Sequence, residues 1–230
     1  MRSNSGFLFA AAGFALLSCG DAIIKSIGSD WPAPAIAFLR FLLAIPLLSI
    51  IIATGQGKAG FVVRRPWVQF GRGAGIALSS MFFFLSIFLM PLAEATAIIF
   101  LNPVFTAIIS IFVFREALRP TAWMMTAVAL AGVALVLRPN ISELGIVALL
   151  PVASALCFAV TIVLNRIAAG TGDAIALQWA AALAATPVLA VVNFAGDMSA
   201  IPELAVGWPP ASVIVKCAIV AVSASLAHWL

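Results

Sequence analysis

The chain has 230 residues, of which 64% are hydrophobic and 9% are charged, and its formal net charge at pH 7 is +4. An ordinary soluble domain contains about 45–50% apolar and about 25% charged residues, and it needs a surface rich in polar side chains. The composition therefore excludes a soluble globular protein and predicts one whose main solvent is hydrocarbon.

The distribution of charge and the positions of the cysteines argue against further classes of protein and site. The basic residues are spread over short segments and form no patch or arm, which argues against a nucleic-acid partner. Cys19, Cys157 and Cys217 lie inside apolar runs without a CxxC pattern, so neither a disulfide framework nor a zinc site is predicted. We expect no cofactor and no bound metal.

The chain divides into eight apolar stretches separated by short polar or Pro/Gly-rich connections. A bilayer core of about 30 Å requires about 20 apolar residues in a helix, and each stretch approaches that length. We therefore predict an all-α polytopic membrane protein with eight transmembrane helices and no separate soluble domain. The predicted spans are 6–28, 33–54, 68–90, 92–114, 121–138, 144–167, 174–195 and 211–230.

The positions of lysine and arginine predict the orientation, because cytoplasmic loops carry an excess of both. With a cytoplasmic N-terminus, the outer side has only Lys25, Arg138 and Lys216, and Arg40 lies within the second span. We therefore predict an N-terminus in the cytoplasm and a location in the inner (cytoplasmic) membrane. The other eight of the 12 basic residues then face the cytoplasm: Arg2, Lys58, Arg64, Arg65, Arg72, Arg115, Arg119 and Arg166.

Three charged side chains fall inside the first two predicted spans. Each costs about 2.5–3.5 kcal/mol at the centre of a membrane helix, so each needs a reason to be there. Asp21 and Lys25 are four residues apart on one helix face and can pair. Arg40 is predicted at the same depth as Asp21. The three form either a structural network that neutralises its own charges or a substrate or proton site, and the sequence favours neither.

Further candidate site residues are polar or aromatic groups within other spans. Asn102-Pro103 interrupts the backbone hydrogen bonds in the middle of the fourth span, which either lines a cavity or makes a simple packing kink. Asn165 and Trp179 are the candidates in the second half of the chain. For these two, a satisfied role in the helix core is the favoured interpretation and substrate contact is the alternative.

The two halves of the chain resemble each other weakly. Residues 15–27 align with 155–167, which pairs Lys25 with Asn165, and further along Arg72 pairs with Lys216. The match keeps its order through three consecutive spans. Because the first unit would contain five spans, the second unit would enter the membrane from the opposite face. Such an inverted repeat is common among secondary carriers.

A group of short motifs in the fourth and fifth spans resembles the EamA-type unit of the drug/metabolite transporter superfamily. These motifs are ATA at 95–97, LNPV at 101–104, FREAL at 114–118, Trp123 and AGVAL at 131–135. The resemblance implies a ten-helix carrier of two five-helix units with both termini in the cytoplasm. Residues 1–140 would be the first unit, and 141–230 an incomplete second unit of three helices. Asp21, Lys25 and the segment 38–41 are most similar to the branch with S-adenosylmethionine and riboflavin importers.

These observations predict a secondary transporter for a small metabolite or drug-like molecule, and not an enzyme. The sequence contains no HExxH motif and no nucleophile elbow. A channel, a structural membrane subunit or a non-functional truncated carrier is the alternative. The expected partners are a small-molecule substrate and the lipid bilayer, while a coupling proton and a homodimer are left open.

Overall fold

The computed structural model describes residues 3–115, 120–137, 145–199 and 206–229, and all regular secondary structure in these ranges is helical. Short 3-10 helices lie at Gly28–Asp30, Gly57–Phe61 and Gly145–Ala148. The α-helices are α1 (Ser3–Lys25), α2 (Ala33–Gly55), α3 (Pro66–Leu89), α4 (Leu92–Ile99), α5 (Asn102–Phe114), α6 (Pro120–Leu137), α7 (Leu149–Ala168), α8 (Ala174–Met198) and α9 (Ala211–Trp229).

The fourth predicted span is divided into two helices. α4 ends at Ile99 and α5 begins at Asn102, so that Pro103 lies in the first turn of α5. A proline is well accommodated there, because the first turn of a helix has no intrahelical acceptor for its N–H. The interruption near Pro103 that the sequence predicts is confirmed. Six of the other predicted spans each correspond to one α-helix within a few residues, and the span 144–167 corresponds to the 3-10 helix Gly145–Ala148 followed directly by α7.

Five helical segments of the described residues are long and apolar enough to cross a membrane. They establish a multi-pass membrane protein, whereas the crossing of the remaining predicted spans stays a prediction. The five segments are Ala33–Gly55, Pro66–Leu89, Leu92–Phe114, Gly145–Ala168 and Ala174–Met198, and Ala211–Ser225 is a shorter apolar helix.

The helices from before and after residue 140 interleave. α3 packs against both α7 and α8, α2 packs against α8, and α1 packs against α9, which also touches α2. α4 and α5 lie against α7. The largest interfaces therefore join the first part of the chain to the second.

Glycines on α3 allow its close approach to α7 and α8. A Cβ atom on Gly73 would lie 2.4 Å from the Cβ of Ala184 on α8, and one on Gly75 would lie 2.4 Å from Oγ1 of Thr161 on α7. Any larger residue would push these helices apart. Such contacts favour membrane helix association, which depends on close van der Waals packing.

Hydrogen bonds between loops and helix ends define the two ends of the bundle. At the basic end, Gln56 Nε2 donates to Asp173 Oδ2 at 2.8 Å and Arg65 donates to the carbonyl of Ile167 at 3.2 Å. At the opposite end, Trp31 Nε1 donates to the carbonyl of Gly207 at 3.0 Å. The basic end is thus formed by the segments 55–66 and 166–174, and the opposite end by 26–33, 89–92 and 206–211.

Candidate functional site

Arg40 is a cation held among helices between the two ends of the bundle. Its guanidinium donates to Ser80 Oγ on α3 at 2.9 Å. The same group lies 4.6 Å from the centroid of the Phe41 ring and 5.3 Å from that of Phe84. A guanidinium is weakly hydrated and stacks well on aromatic faces, which makes this surrounding tolerable for a charge.

Asp21 on α1 and Cys217 on α9 complete the surroundings of Arg40. The carboxylate of Asp21 interacts electrostatically with the guanidinium, and Cys217 lies close to it as an uncharged thiol. Asp21 is half-buried, and among the described residues it forms no direct ion pair with either Arg40 or Lys25. We call Asp21, Arg40, Ser80 and Phe84 the Arg40 centre. Its residues come from α1, α2 and α3. The opposite charges of Asp21 and Arg40 are close to each other in this centre but form no direct ion pair.

Lys25 has a different partner from the one the sequence suggests. Its Nζ donates to the carbonyl of Ile87 at 2.7 Å and to that of Met90 at 3.0 Å. The hypothesis of a direct Asp21–Lys25 pair is therefore wrong for this structure. The last carbonyls of a helix lack intrahelical donors and carry partial negative charge, so the end of α3 is a strong competitor for the ammonium group.

Trp179 connects α8 to α2 near the basic end. Its Nε1 donates to Ser49 Oγ at 2.9 Å, and its ring meets Phe61 edge to face at a centroid distance of 5.2 Å. The indole N–H thus has a partner inside the protein. The structure does not bring Trp179 to the Arg40 centre by any recorded contact among the described residues.

Asn165 takes part in a cluster around Arg72, a residue that the sequence predicts to be cytoplasmic and pairs with Lys216 in the weak repeat. Arg72 Nε donates to Asn165 Oδ1, and its Nη1 donates to Gln69 Oε1 and, at 3.1 Å, to the carbonyl of Leu177. Arg72 and Gln69 are only 6% and 3% exposed. These four residues, the Arg72 cluster, join α3 to α7 and α8. Gln69 and Arg72 are three apart in a helix, so this spacing could have predicted a shared polar face.

Asn102 forms no recorded hydrogen bond with either cluster among the described residues. It is half-buried in the first turn of α5, the helix that packs against α7. The six candidate residues from the sequence therefore fall in different places. Asp21 and Arg40 come together, Lys25 caps α3, Trp179 and Asn165 lie toward the basic end, and Asn102 marks the break before α5.

A surface cavity of about 350 Å³ opens at the basic end. It lies between the loop that follows α2 and the loop between α7 and α8, with Arg64 and Asp173 as its charged lining residues. No group of three or more His, Cys, Asp or Glu side chains that could hold a metal occurs within the described ranges.

A comparison with known families decides the assignment. Residues 4–138 match the model of the EamA-like transporter family. The chain belongs to this family. Because the family consists of transporters and the named relatives are transporters, the protein is assigned to a transport family and not to an enzyme class. The resemblance predicted from the motifs at 95–135 is confirmed.

The relatives of known name are distant and longer than this chain. The S-adenosylmethionine uptake transporter of Rickettsia prowazekii is 26% identical over 150 residues, which are 65% of this chain and 50% of that protein. The transporter of the same name from Rickettsia bellii is 27% identical over 150 residues, 65% of this chain and 51% of its own length. The riboflavin transporter of Rhizobium johnstonii is 26% identical over 136 residues, or 59% and 45% of the two chains.

The chain thus spans about half the length of the curated relatives it matches. No solved structure shows a significant match.

Proposed function

We propose that this protein is a secondary transporter that moves a small metabolite across the cytoplasmic membrane by alternating access, with the Arg40 centre as its substrate site. The observation that carries the proposal is the pair of opposite charges on Arg40 and Asp21, placed near each other inside the bundle without a direct bond. A charge within membrane-spanning helices is expensive and is commonly kept for function. Both groups keep bonding capacity that a ligand can use.

The chemistry of this centre favours a zwitterionic substrate. A carboxylate matches the planar donor edge of Arg40, and a cationic group matches the carboxylate of Asp21. The relatives named S-adenosylmethionine uptake transporters supply the first compound to test, because S-adenosylmethionine carries a carboxylate together with positive groups. A coupling proton would compete with the cationic group at Asp21.

The helix contacts support an inverted repeat of units 1–140 and 141–230. In the repeat alignment, α1 corresponds to α7, α2 to α8 and α3 to α9. Under this correspondence, the α1–α9 interface is the equivalent of the α3–α7 interface. Likewise, the α3–α8 interface is the equivalent of the α2–α9 interface, and the α2–α8 interface is its own equivalent. These are the interfaces expected of eight spans from a ten-helix inverted-repeat carrier. In such carriers, rocking of one repeat against the other exposes a central site to each side in turn.

The distribution of charge supports a cytoplasmic N-terminus in the inner membrane. Lys25 and Lys216 are the lysines at the opposite end, and Arg166 lies over the ring of Phe114, which places the end of α5 at the basic end. Arg2, Arg119 and Arg138 lie outside the described residues. The described basic residues at the basic end are Lys58, Arg64, Arg65, Arg72, Arg115 and Arg166.

Reconstitution tests the proposal directly. The purified protein in liposomes should take up labelled S-adenosylmethionine or another zwitterionic metabolite with saturation, and preloaded unlabelled compound should accelerate entry. Arg40→Gln should lower the initial rate by at least about tenfold, the factor that corresponds to one lost charge-assisted hydrogen bond. Lys58→Gln, which removes an exposed cation from the basic end, is the matched control and should transport normally.

Two outcomes would contradict the proposal. Flux that rises linearly with concentration and shows no counterflow would indicate a channel. Unchanged uptake by folded Arg40→Gln protein would remove the Arg40 centre from the substrate path.

A further inference from the structure

The Arg72 cluster ties the two units together at the basic end. Arg72 belongs to α3 of the first unit, and its acceptors outside that helix are Asn165 on α7 and the carbonyl of Leu177 on α8. Arg72 is almost completely buried. If α3 separated from α7 and α8 at this end, all of these interhelical bonds would break.

A related contact lies at the opposite end. The weak sequence repeat pairs Arg72 with Lys216 and the end of α7 with the end of α1. Lys216 Nζ on α9 donates to the carbonyl of Ser26, just beyond α1, at 2.9 Å. The two cations therefore reach across equivalent helix pairs, α3 to α7 and α9 to α1, at the two ends of the bundle.

The two contacts differ in strength. From a buried position Arg72 donates two part-buried bonds to other helices, one to Asn165 and one to the carbonyl of Leu177, whereas Lys216 donates one exposed bond. A charged hydrogen bond that is partly shielded from water is worth more than an exposed one, which competes with solvent. The end held by Arg72 should therefore open less readily than the end held by Lys216.

We propose that the Arg72 cluster is the latch that closes the basic end, that the Lys216–Ser26 bond is its weaker counterpart, and that their inequality makes the protein rest with its basic end shut. This inference rests on the proposed alternating access, because only a transporter must open each end in turn. Asn165 is exposed, so water can replace the Arg72 bond when the latch opens.

The native cysteines supply a reporter for each end. Cys157 on α7 is half-buried, and its backbone carbonyl lies at the interface with α3, 3.2 Å from the position of a Cβ on Gly75. Cys217 on α9 is completely buried and lies one residue after Lys216. Each thiol should react faster with a membrane-permeant maleimide when its own end of the bundle opens.

The test measures both modification rates in the intact protein in membranes, with Cys19→Ser in all variants. Arg72→Gln removes the guanidinium from two interhelical bonds and should raise the Cys157 rate by at least about tenfold, the factor for one lost charge-assisted hydrogen bond, without raising the Cys217 rate. Lys216→Gln should raise the Cys217 rate by a smaller factor without raising the Cys157 rate. Lys58→Gln removes an exposed charge from the same end as Arg72 and should change neither rate.

Asn165→Ala is the second latch variant. It removes one acceptor at an exposed position and should raise the Cys157 rate by less than Arg72→Gln does. If the Arg72→Gln protein does not accumulate, the Cys157 rate of Asn165→Ala tests the proposed latch in its place. An unchanged Cys157 rate in folded latch variants, or equal increases at both cysteines, would contradict the proposal. The Arg72 cluster would then be a structural contact that does not control the opening of the basic end. Because the readout is thiol modification, a failure of the transport assay alone leaves this result interpretable.

Discussion

At the residue scale, the identity of Arg40 matters as much as its charge. A guanidinium can lie over the rings of Phe41 and Phe84 and donate to Ser80 at the same time, since its donors lie in the plane and its faces stay free. A lysine ammonium has no flat face and is more strongly hydrated. The Arg40 guanidinium can therefore be buried among aromatic rings and still offer a planar donor edge to a carboxylate.

Asp21→Asn separates a structural from a functional role of the charge beside Arg40. Because Asp21 forms no direct ion pair here, its loss should leave accumulation and thermal stability close to those of the unaltered protein. If Asp21 binds the cationic group of the substrate, uptake should fall by more than about tenfold, since truncating one partner of a buried charge pair costs about 2–5 kcal/mol.

Uptake rates and thermal unfolding in detergent provide the comparison for Asp21→Asn. A large loss of stability with normal uptake per folded molecule would instead assign Asp21 to the structural network that the sequence leaves open.

The sequence predicts the charged residues of this centre but not their partners. Asp21, Lys25 and Arg40 stand out because charges are costly within apolar spans, which needs no structure. The spacing of Asp21 and Lys25 on one helix face predicts a pair, yet Lys25 lies at the last turn of α1 and reaches the end of α3 instead. Whether the Lys25 ammonium binds the Asp21 carboxylate or the carbonyls at the end of α3 depends on how α1 and α3 pack. Hydropathy gives no information about that packing.

At the element scale, hydropathy and proline positions predict most helix boundaries, including the break between α4 and α5. Each of these features is local, so the chain itself contains the signal. The Arg72 cluster is different, because its members come from α3, α7 and α8. Its only local trace in the sequence is the spacing of Gln69 and Arg72, which does not reveal the partners on α7 and α8.

Lys25→Met tests the cap on α3. The substitution keeps a long apolar side chain but leaves the carbonyls of Ile87 and Met90 without the ammonium donor. Hydrogen bonds to charged groups contribute about 1.5–3 kcal/mol, so the free energy of unfolding should fall by about that amount.

Lys25→Arg is the matched control for the cap and should retain most of the stability, because a guanidinium can also donate to both carbonyls. The midpoint of thermal unfolding in detergent is the measurement. Uptake per folded molecule should change little with Lys25→Met. A loss of uptake with unchanged stability would contradict the capping role and indicate that Lys25 takes part in substrate binding.

At the scale of the whole molecule, the interleaved helices determine where a substrate site can form. α1 and α2 bring Asp21 and Arg40 to α3, while α9 adds Cys217 from the part of the chain after residue 140. Neither part of the chain alone surrounds Arg40. The same arrangement places bonds between the two parts of the chain at each end, and this is what the proposed alternating opening of the two ends requires.

The orientation of the bundle is the last prediction, and single cysteines can test it. Ala59 is exposed at the basic end, and Ser199 is exposed just after α8, the helix that begins at the basic end. Ala59 is preferred to the adjacent Gly60, because a Cβ on Gly60 would lie 2.4 Å from Ile52 Cγ2. With the native cysteines replaced by serine, an impermeant maleimide added outside intact cells should label Ser199→Cys but not Ala59→Cys.

Permeabilised cells supply the control, since both positions should then be labelled. The expectation follows from the lysines and arginines at the basic end, which retain that end in the cytoplasm during insertion. Labelling of Ala59→Cys from outside, with Ser199→Cys protected, would reverse the orientation. The Arg72 latch would then close the outer end, and the resting protein would face the cytoplasm.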